Sequence, residues 1–263
     1  MKVGSLCTGY GGLEIAVTEL FKNARLQFVS DIDPEVNTLL THHPKKTPNL
    51  EDLTNTDWTK VPEIDLLSAG YPCQPFSTAG KRKGEQDDRA IFEYIADGIS
   101  ILRPRWVLLE NVAGHITLGG TSVIATLTKL GDDSRWGTVS ASEALAPHKR
   151  SRLFIWANNR NTTISDGRYT QPETMETTIR QAPEFRESTC SLERWGTVIG
   201  RPHPEYATED NRVNPKFVEW LMGLPDGYVT DIITDYSSQL RILGNGVVPQ
   251  QAKLAISTLL KNM

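Results

Sequence analysis

The sequence predicts an α/β protein built on one open, doubly wound sheet, and three observations carry that expectation. Up to residue 157, short apolar runs alternate with stretches of helical period. The segments richest in glycine, proline and acid fall where the apolar runs end. A chain of 263 residues, 38% hydrophobic and 23% charged, suffices for one such domain with insertions or for two smaller ones.

The elements follow in order. "KVGSLC" reads as the first strand, and "GGLEIAVTELF" as a helix whose Leu13, Ala16, Val17 and Leu20 share a face. "LQFVSDID" is a strand, and Pro34 opens the helix "PEVNTLLTHH". "EIDLLSAG" and "RWVLLENV" read as buried strands flanking "RAIFEYIADGISIL", a helix stopped before Pro104. "SVIATLTKLG" is a helix ended by Gly131, and "RLFIWAN" the next strand. This alternation predicts parallel strands with helices on both faces. Ligands of such sheets sit beyond the carboxyl ends of the strands. Gly9–Gly12, Tyr71–Gln74 and Glu110–Asn111 all fall there.

From Asn158 to Asn214 the pattern lapses into a stretch rich in Thr, Arg, Glu and Pro. A linker is one reading; Phe185, Trp195, Tyr206 and "GTVIG" favour small, irregular, ordered structure. Regularity returns with "NPKFVEWLMGLPDGY", a helix ended by Gly223 and Pro225. "GNGVVPQQAKLAISTLL" then makes a glycine-rich turn into an amphipathic helix. No internal repeat is present.

Composition excludes several classes. No apolar run approaches the ~18 residues of a membrane span, and the first residues lack a secretory layout. Three cysteines are too few for a disulfide framework, and no Cys/His spacing suggests zinc, so a reducing cytoplasm is expected. A net charge of -4 argues against a general polyanion binder; contact with nucleic acid then needs a local basic face.

Glycines between a strand and a helix let backbone approach a ligand, and Asp31 ends the next strand, where an acid can bond a ribose hydroxyl. The G-x-G-x-x-G spacing from Gly9 ends on Glu14, which favours a nucleoside without phosphates over a dinucleotide. Asp52 has two readings, a contact to an adenine amino group or a helix cap. Cys73 is held between Pro72 and Pro75 on a stiff turn, with Lys81, Arg82 and Lys83 near in sequence to favour its thiolate. A small buried hydrophobe is its bland alternative. Glu110 closes a buried strand: either a paired structural carboxylate, or an acid of raised pKa that shares its proton with a substrate ring nitrogen. Arg150 and Arg152 alternate into the next strand, and its period of two turns both to one face.

Taken together, "SLCTGYGGLEIA", "DIDPE", "AGYPCQPFSTAGKRKG", "RPRWVLLENV", "APHKRSRLF" and "LGNGVVPQQA" resemble, in the same order, the cytosine-carbon-5 DNA methyltransferases. The resemblance spans nearly the whole chain. It implies the class I methyltransferase fold, a Rossmann-like doubly wound sheet. Residues 1–157 would form the catalytic domain, 158–214 a short target-recognition region, and 215–263 a return to the catalytic domain. It also implies S-adenosylmethionine as donor and a flipped-out cytosine of double-stranded DNA as substrate. By position, Cys73 becomes the nucleophile, Glu110 the partner of ring nitrogen 3, Arg152 the holder of the exocyclic oxygen and Arg150 its support. Cys7, Gly9, Gly11, Asp31, Ile32, Asp52, Pro72 and Asn245 would hold the donor. Gln74, Ser77, Lys81, Arg82 and Lys83 are the expected DNA contacts, with Arg160, Arg168, Arg180, Arg194 and Arg201 as candidates in the recognition region. The chain departs from the family at Ser5, Cys7 and His148, where an acid, an aromatic and a glutamine are usual.

A monomer without metal or membrane is expected, with a cognate restriction endonuclease as a further partner. Rival readings are the same chemistry on tRNA, a catalytically silent DNA-binding module, and a nicotinamide-dependent oxidoreductase, the last disfavoured by the missing third glycine.

Overall fold

The computed structural model describes residues 1–43, 46–72, 88–160 and 190–261. Six strands form one sheet: β1 (Lys2–Leu6), β2 (Arg25–Phe28), β3 (Leu66–Gly70), β4 (Trp106–Val112), β5 (Asp132–Ser140) and β6 (Ser151–Asn159), in the order β2-β1-β3-β4-β6-β5. The first four are parallel, as expected. β6 alone runs against them, antiparallel to both of its neighbours, β4 and β5. The reason is connection length, because parallel neighbours need a crossover of about a dozen residues or more. The segment 141–150 holds only a short 3-10 turn, Ala141–Ala144, before β6 begins. β5 itself escapes sequence reading because its burial is patchy and its Trp136 is half exposed.

The described helices are α1 (Gly12–Leu20), α2 (Pro34–His42), α3 (Asp88–Leu102), α4 (Thr121–Lys129), α5 (Ser191–Ile199), α6 (Pro215–Leu221), α7 (Tyr236–Asn245) and α8 (Pro249–Lys261). Alternation along the strands sorts side chains between two layers. Val107, Leu109, Leu153, Ile155 and Ala157 pack with Ile95, Ile99, Val123 and Leu127 of α3 and α4. Leu66, Leu108, Phe154 and Trp156 pack with Ala16, Val17, Ala252 and Ile256 of α1 and α8. Asp33 caps α2 and Pro34 takes its first position, as the sequence predicts.

Two helices lie where none was expected. α7 is largely polar and buries only Ser238, Ile242 and Leu243, so its periodicity is faint in sequence. α5 lies inside the stretch read as irregular. Its Trp195 is fully buried beside Trp220, in a third cluster that includes Tyr10, Val29, Leu39 and Leu243. Trp195 Nε1 donates to Trp220 O (2.9 Å) and Trp220 Nε1 to Arg201 O (3.1 Å). Arg201, a candidate DNA contact, instead donates to Leu224 O at 2.6 Å and faces Asp226 at 3.6 Å, a scaffold role. Arg160 pairs with Asp133 on the surface, and Arg194 sits on α5. Arg168 and Arg180 lie outside the described residues.

Candidate active site

The carboxyl ends of β1, β2, β3 and β4 converge on a cleft of about 1080 Å³. Its first wall is the loop after β1. Thr8 N and Oγ1 both donate to Ser30 O (3.0 and 3.1 Å), which ties that loop to the end of β2. Gly9 N donates to Asp31 Oδ2 (2.8 Å) and Asp33 N to Asp31 Oδ1 (3.1 Å). Burial raises the Asp31 carboxyl above its usual range, against the pull of those N–H groups. Beside it Ile32 stands 73% exposed, a flat apolar surface next to an acid. Cys7 takes a left-handed φ of 49°, uncommon for a residue with a Cβ. Burial, helped by Asp31, pushes its thiol up to about 12, so it is inert at neutral pH.

Glycine is required where this loop meets the turn after α7. A Cβ on Gly12 would overlap the carbonyl of Val247, and one on Gly246 the ring of Tyr10, whose hydroxyl donates to Val247 O at 2.7 Å. These contacts join residues some 235 positions apart and bring Asn245 to the cleft. Arg150 completes the junction: its Nη2 donates to Gly244 O (2.7 Å) and Gly246 O (2.6 Å). Arg150 therefore braces the segment carrying Asn245 and does not line the cleft, while Arg152 does. Gly11 likewise faces a separate hollow, with Glu14, His43 and Tyr228.

The second wall is the end of β4. Arg152 Nε lies 2.9 Å from Glu110 Oε1, and both side chains are largely buried. Oε1 nevertheless has no hydrogen-bond partner among the described residues. Burial outweighs the attraction of Arg152 and Arg150 and raises the Glu110 carboxyl to about 7. Glu110 is thus paired by distance yet readily protonated. Asn111, quoted but given no role by sequence reasoning, donates from Nδ2 to Tyr71 O (3.1 Å) and accepts from Val112 N (2.8 Å). Its place directly after Glu110 in the "ENV" run was the signal for it. Pro72 lines the cleft. Cys73, Gln74, Ser77, Lys81, Arg82 and Lys83 lie outside the described residues.

Asp52 also lines the cleft, but its carboxylate accepts from Thr54 N (2.9 Å), Thr54 Oγ1 (2.7 Å) and Asn55 Nδ2 (2.9 Å). It caps the 3-10 turn Leu53–Asn55, one of its two sequence readings. The bridge before it, Val29 to Asn49, is isolated, and among the described residues no strand lies between β2 and Asp52.

The charge lining decides what this cleft accepts. Glu14, Asp31, Asp33, Glu51, Asp52 and Glu110 line it, against Arg152 and Arg241 alone among the described residues. Both arginines are already paired, Arg152 with Glu110 and Arg241 with Asp33. Such a field disfavours a pyrophosphate and suits an uncharged or cationic nucleoside. The apolar shelf of Ile32, the acid Asp31 and the acidic rim thus fit a sulfonium nucleoside such as S-adenosylmethionine.

Fold and cleft together define an α/β protein with an open cleft and an acid–arginine pair at the strand ends. The sequence profile of the C-5 cytosine-specific DNA methylases matches residues 1–194, and the chain belongs to that family. Type II methyltransferase M.NlaX of Neisseria lactamica is 34% identical over 161 residues, 59% of this chain and 51% of its own. Type II methyltransferase M.DsaV of Dactylococcopsis salina is 34% identical over 171 residues, 61% of this chain and 48% of its own. The chain thus spans about half the length of these curated relatives. Among solved structures, the Dnmt2 methyltransferase of S. pombe superposes with a TM-score of 0.70 at 19% identity, covering 100% of this chain and 99% of that one. This likeness concerns the fold.

Proposed function

We propose that this protein methylates carbon 5 of cytosine in double-stranded DNA. One observation carries the reading. A largely buried acid with a carboxyl near pH 7, Glu110, stands beside Arg152 in the same cleft as the Asp31–Ile32 nucleoside shelf. A base and a donor would therefore meet over the strand ends. Family membership adds the substrate class.

S-adenosylmethionine, when bound, supplies an electrophilic methyl group. Cys7, Gly9, Asp31, Ile32, Asp52, Pro72 and Asn245 would hold it, with Asp31 toward the ribose and Ile32 under the base. Carbon 5 of cytosine is a weak nucleophile until the ring loses aromaticity. In this reading the Cys73 thiolate adds to carbon 6, and Glu110 donates its proton toward ring nitrogen 3, stabilising the charge that develops there. Arg152 orients the exocyclic oxygen with N–H groups beyond the one facing Glu110. Carbon 5 would take the methyl group with release of the thioether, lose its proton to a general base, and the ring would then expel the Cys73 thiolate. A stacked base cannot reach such a cleft, so the nucleotide is flipped out at a cost of about a few kcal/mol. The basic run Lys81–Lys83 would hold its phosphates, with residues 158–214 reading the target.

The test is transfer of labelled methyl to duplex DNA and to tRNA in parallel. Duplex DNA is the expected acceptor. Cys73→Ser should abolish transfer while DNA binding persists, and 5-fluorocytosine DNA should trap a covalent complex with the wild-type protein alone. Undiminished turnover by the Ser variant, or transfer confined to tRNA, defeats the reading.

A further inference from the structure

The end of β3 is held more firmly than a strand end requires. Tyr71 O accepts from Asn111 Nδ2 at 3.1 Å, while Tyr71 Oη meets His115 Nε2 at 2.9 Å. The Tyr71 ring also packs on Phe92 (centroids 5.6 Å apart) and edge-on against His115 (5.5 Å). His115 sits in a fitted slot. It precedes a π-turn, Ile116–Gly120, a rare element that tends to occur at functional sites. A Cβ on Gly119 would lie 3.0 Å from His115 Cε1, and one on Gly120 3.1 Å from His115 O. Burial keeps the His115 ring below the usual histidine range, so at neutral pH it is uncharged and offers one nitrogen as acceptor.

The two ends of this brace matter by connectivity. Asn111 directly follows Glu110, and Tyr71 is joined through Pro72 to Cys73. We propose that the Tyr71–His115 hydrogen bond, with Asn111, is a positioning brace that sets the spacing of Pro72 from Glu110 and so tunes the chemical step; Tyr71 and Asn111 line the cleft, and His115 acts from outside it. The inference rests on the methyl-transfer reading, and nothing in that reading assigns a task to Tyr71 or His115.

The experiment compares Tyr71→Phe, His115→Ala, His115→Gln and the double variant Tyr71→Phe/His115→Ala with wild type. Glutamine places an amide near the position of Nε2. Misplacement of a reacting group by a fraction of an ångström costs about tenfold or more in rate. We expect kcat to fall about tenfold in Tyr71→Phe and in His115→Ala, and no further in the double variant, since both remove one bond. His115→Gln should recover most of it. KM for DNA, Kd for S-adenosylhomocysteine and Tm should stay near wild type. Alkylation of Cys73 by iodoacetamide, mapped by mass spectrometry to separate it from Cys7 and Cys190, should shift several-fold in His115→Ala and return in His115→Gln.

Unchanged kcat and unchanged alkylation overturn the brace. So does a fall in kcat that tracks Tm or that glutamine fails to rescue. Should wild type transfer no methyl at all, the parent reading fails, and the alkylation series alone decides the brace.

Discussion

At the residue scale the site turns on Glu110. A carboxyl near 7 in the folded protein, against an ordinary value of 4.5, binds more protons than its unfolded counterpart between those two pH values. Its contribution to stability is therefore complete below about pH 4.5 and is lost as pH rises through about 7. Glu110→Gln should flatten that part of the stability profile, read as Tm against pH. The same carboxyl must hold its proton to assist attack on cytosine. Single-turnover methylation should accordingly lose its Glu110-dependent part above about pH 7, and the Gln variant should lose about 10²-fold or more in rate at neutral pH. A Gln variant with the wild-type rate and pH profile would remove Glu110 from the mechanism. Cys7 makes the contrasting case: its raised thiol predicts slow alkylation at pH 8, measurable by peptide mapping.

At the element scale, the start of α1 and the turn between α7 and α8 touch without side-chain clearance. Gly12→Ala should push Val247 away and cost about 1–3 kcal/mol by chemical denaturation, with weaker binding of S-adenosylhomocysteine because Asn245 moves too. Arg150→Met keeps bulk but removes both hydrogen bonds to the Gly244 and Gly246 carbonyls. The expected outcome is a Kd for S-adenosylhomocysteine raised about tenfold, since loss of hydrogen bonds from a charged group is worth about 1.5–3 kcal/mol. An unchanged Kd would leave Arg150 outside the donor wall. Sequence reasoning placed Arg150 near the chemistry through its spacing from Arg152. It had no means of seeing that its partners were carbonyls nearly a hundred residues on.

At the scale of the whole molecule, the carboxyl-terminal part closes the cleft of the amino-terminal part. Arg241 of α7 pairs with Asp33 and Glu35 at the start of α2. Both partners are partly exposed, so a double-mutant cycle of Arg241→Gln with Asp33→Asn should give a coupling of only about 0.5–1 kcal/mol, shrinking with salt. Asn retains the cap of α2, which isolates the ion pair. A coupling above this range would mean that the bridge carries more of the closed cleft than its exposure implies. The sequence by itself determined the parallel strands β1–β4, their helices and the strand ends at which the cleft opens, because periods of two and 3.6 and the glycines and prolines at strand ends are local properties. It likewise isolated Glu110, since an acid closing a buried strand is visible without neighbours. Only the tertiary structure decided the reversal of β6, the burial of Trp195 against Trp220, the brace from Asn111 to Tyr71 and the junction of Gly12 with Val247. Each of these depends on which distant segments become neighbours, a long-range packing outcome that no local pattern encodes.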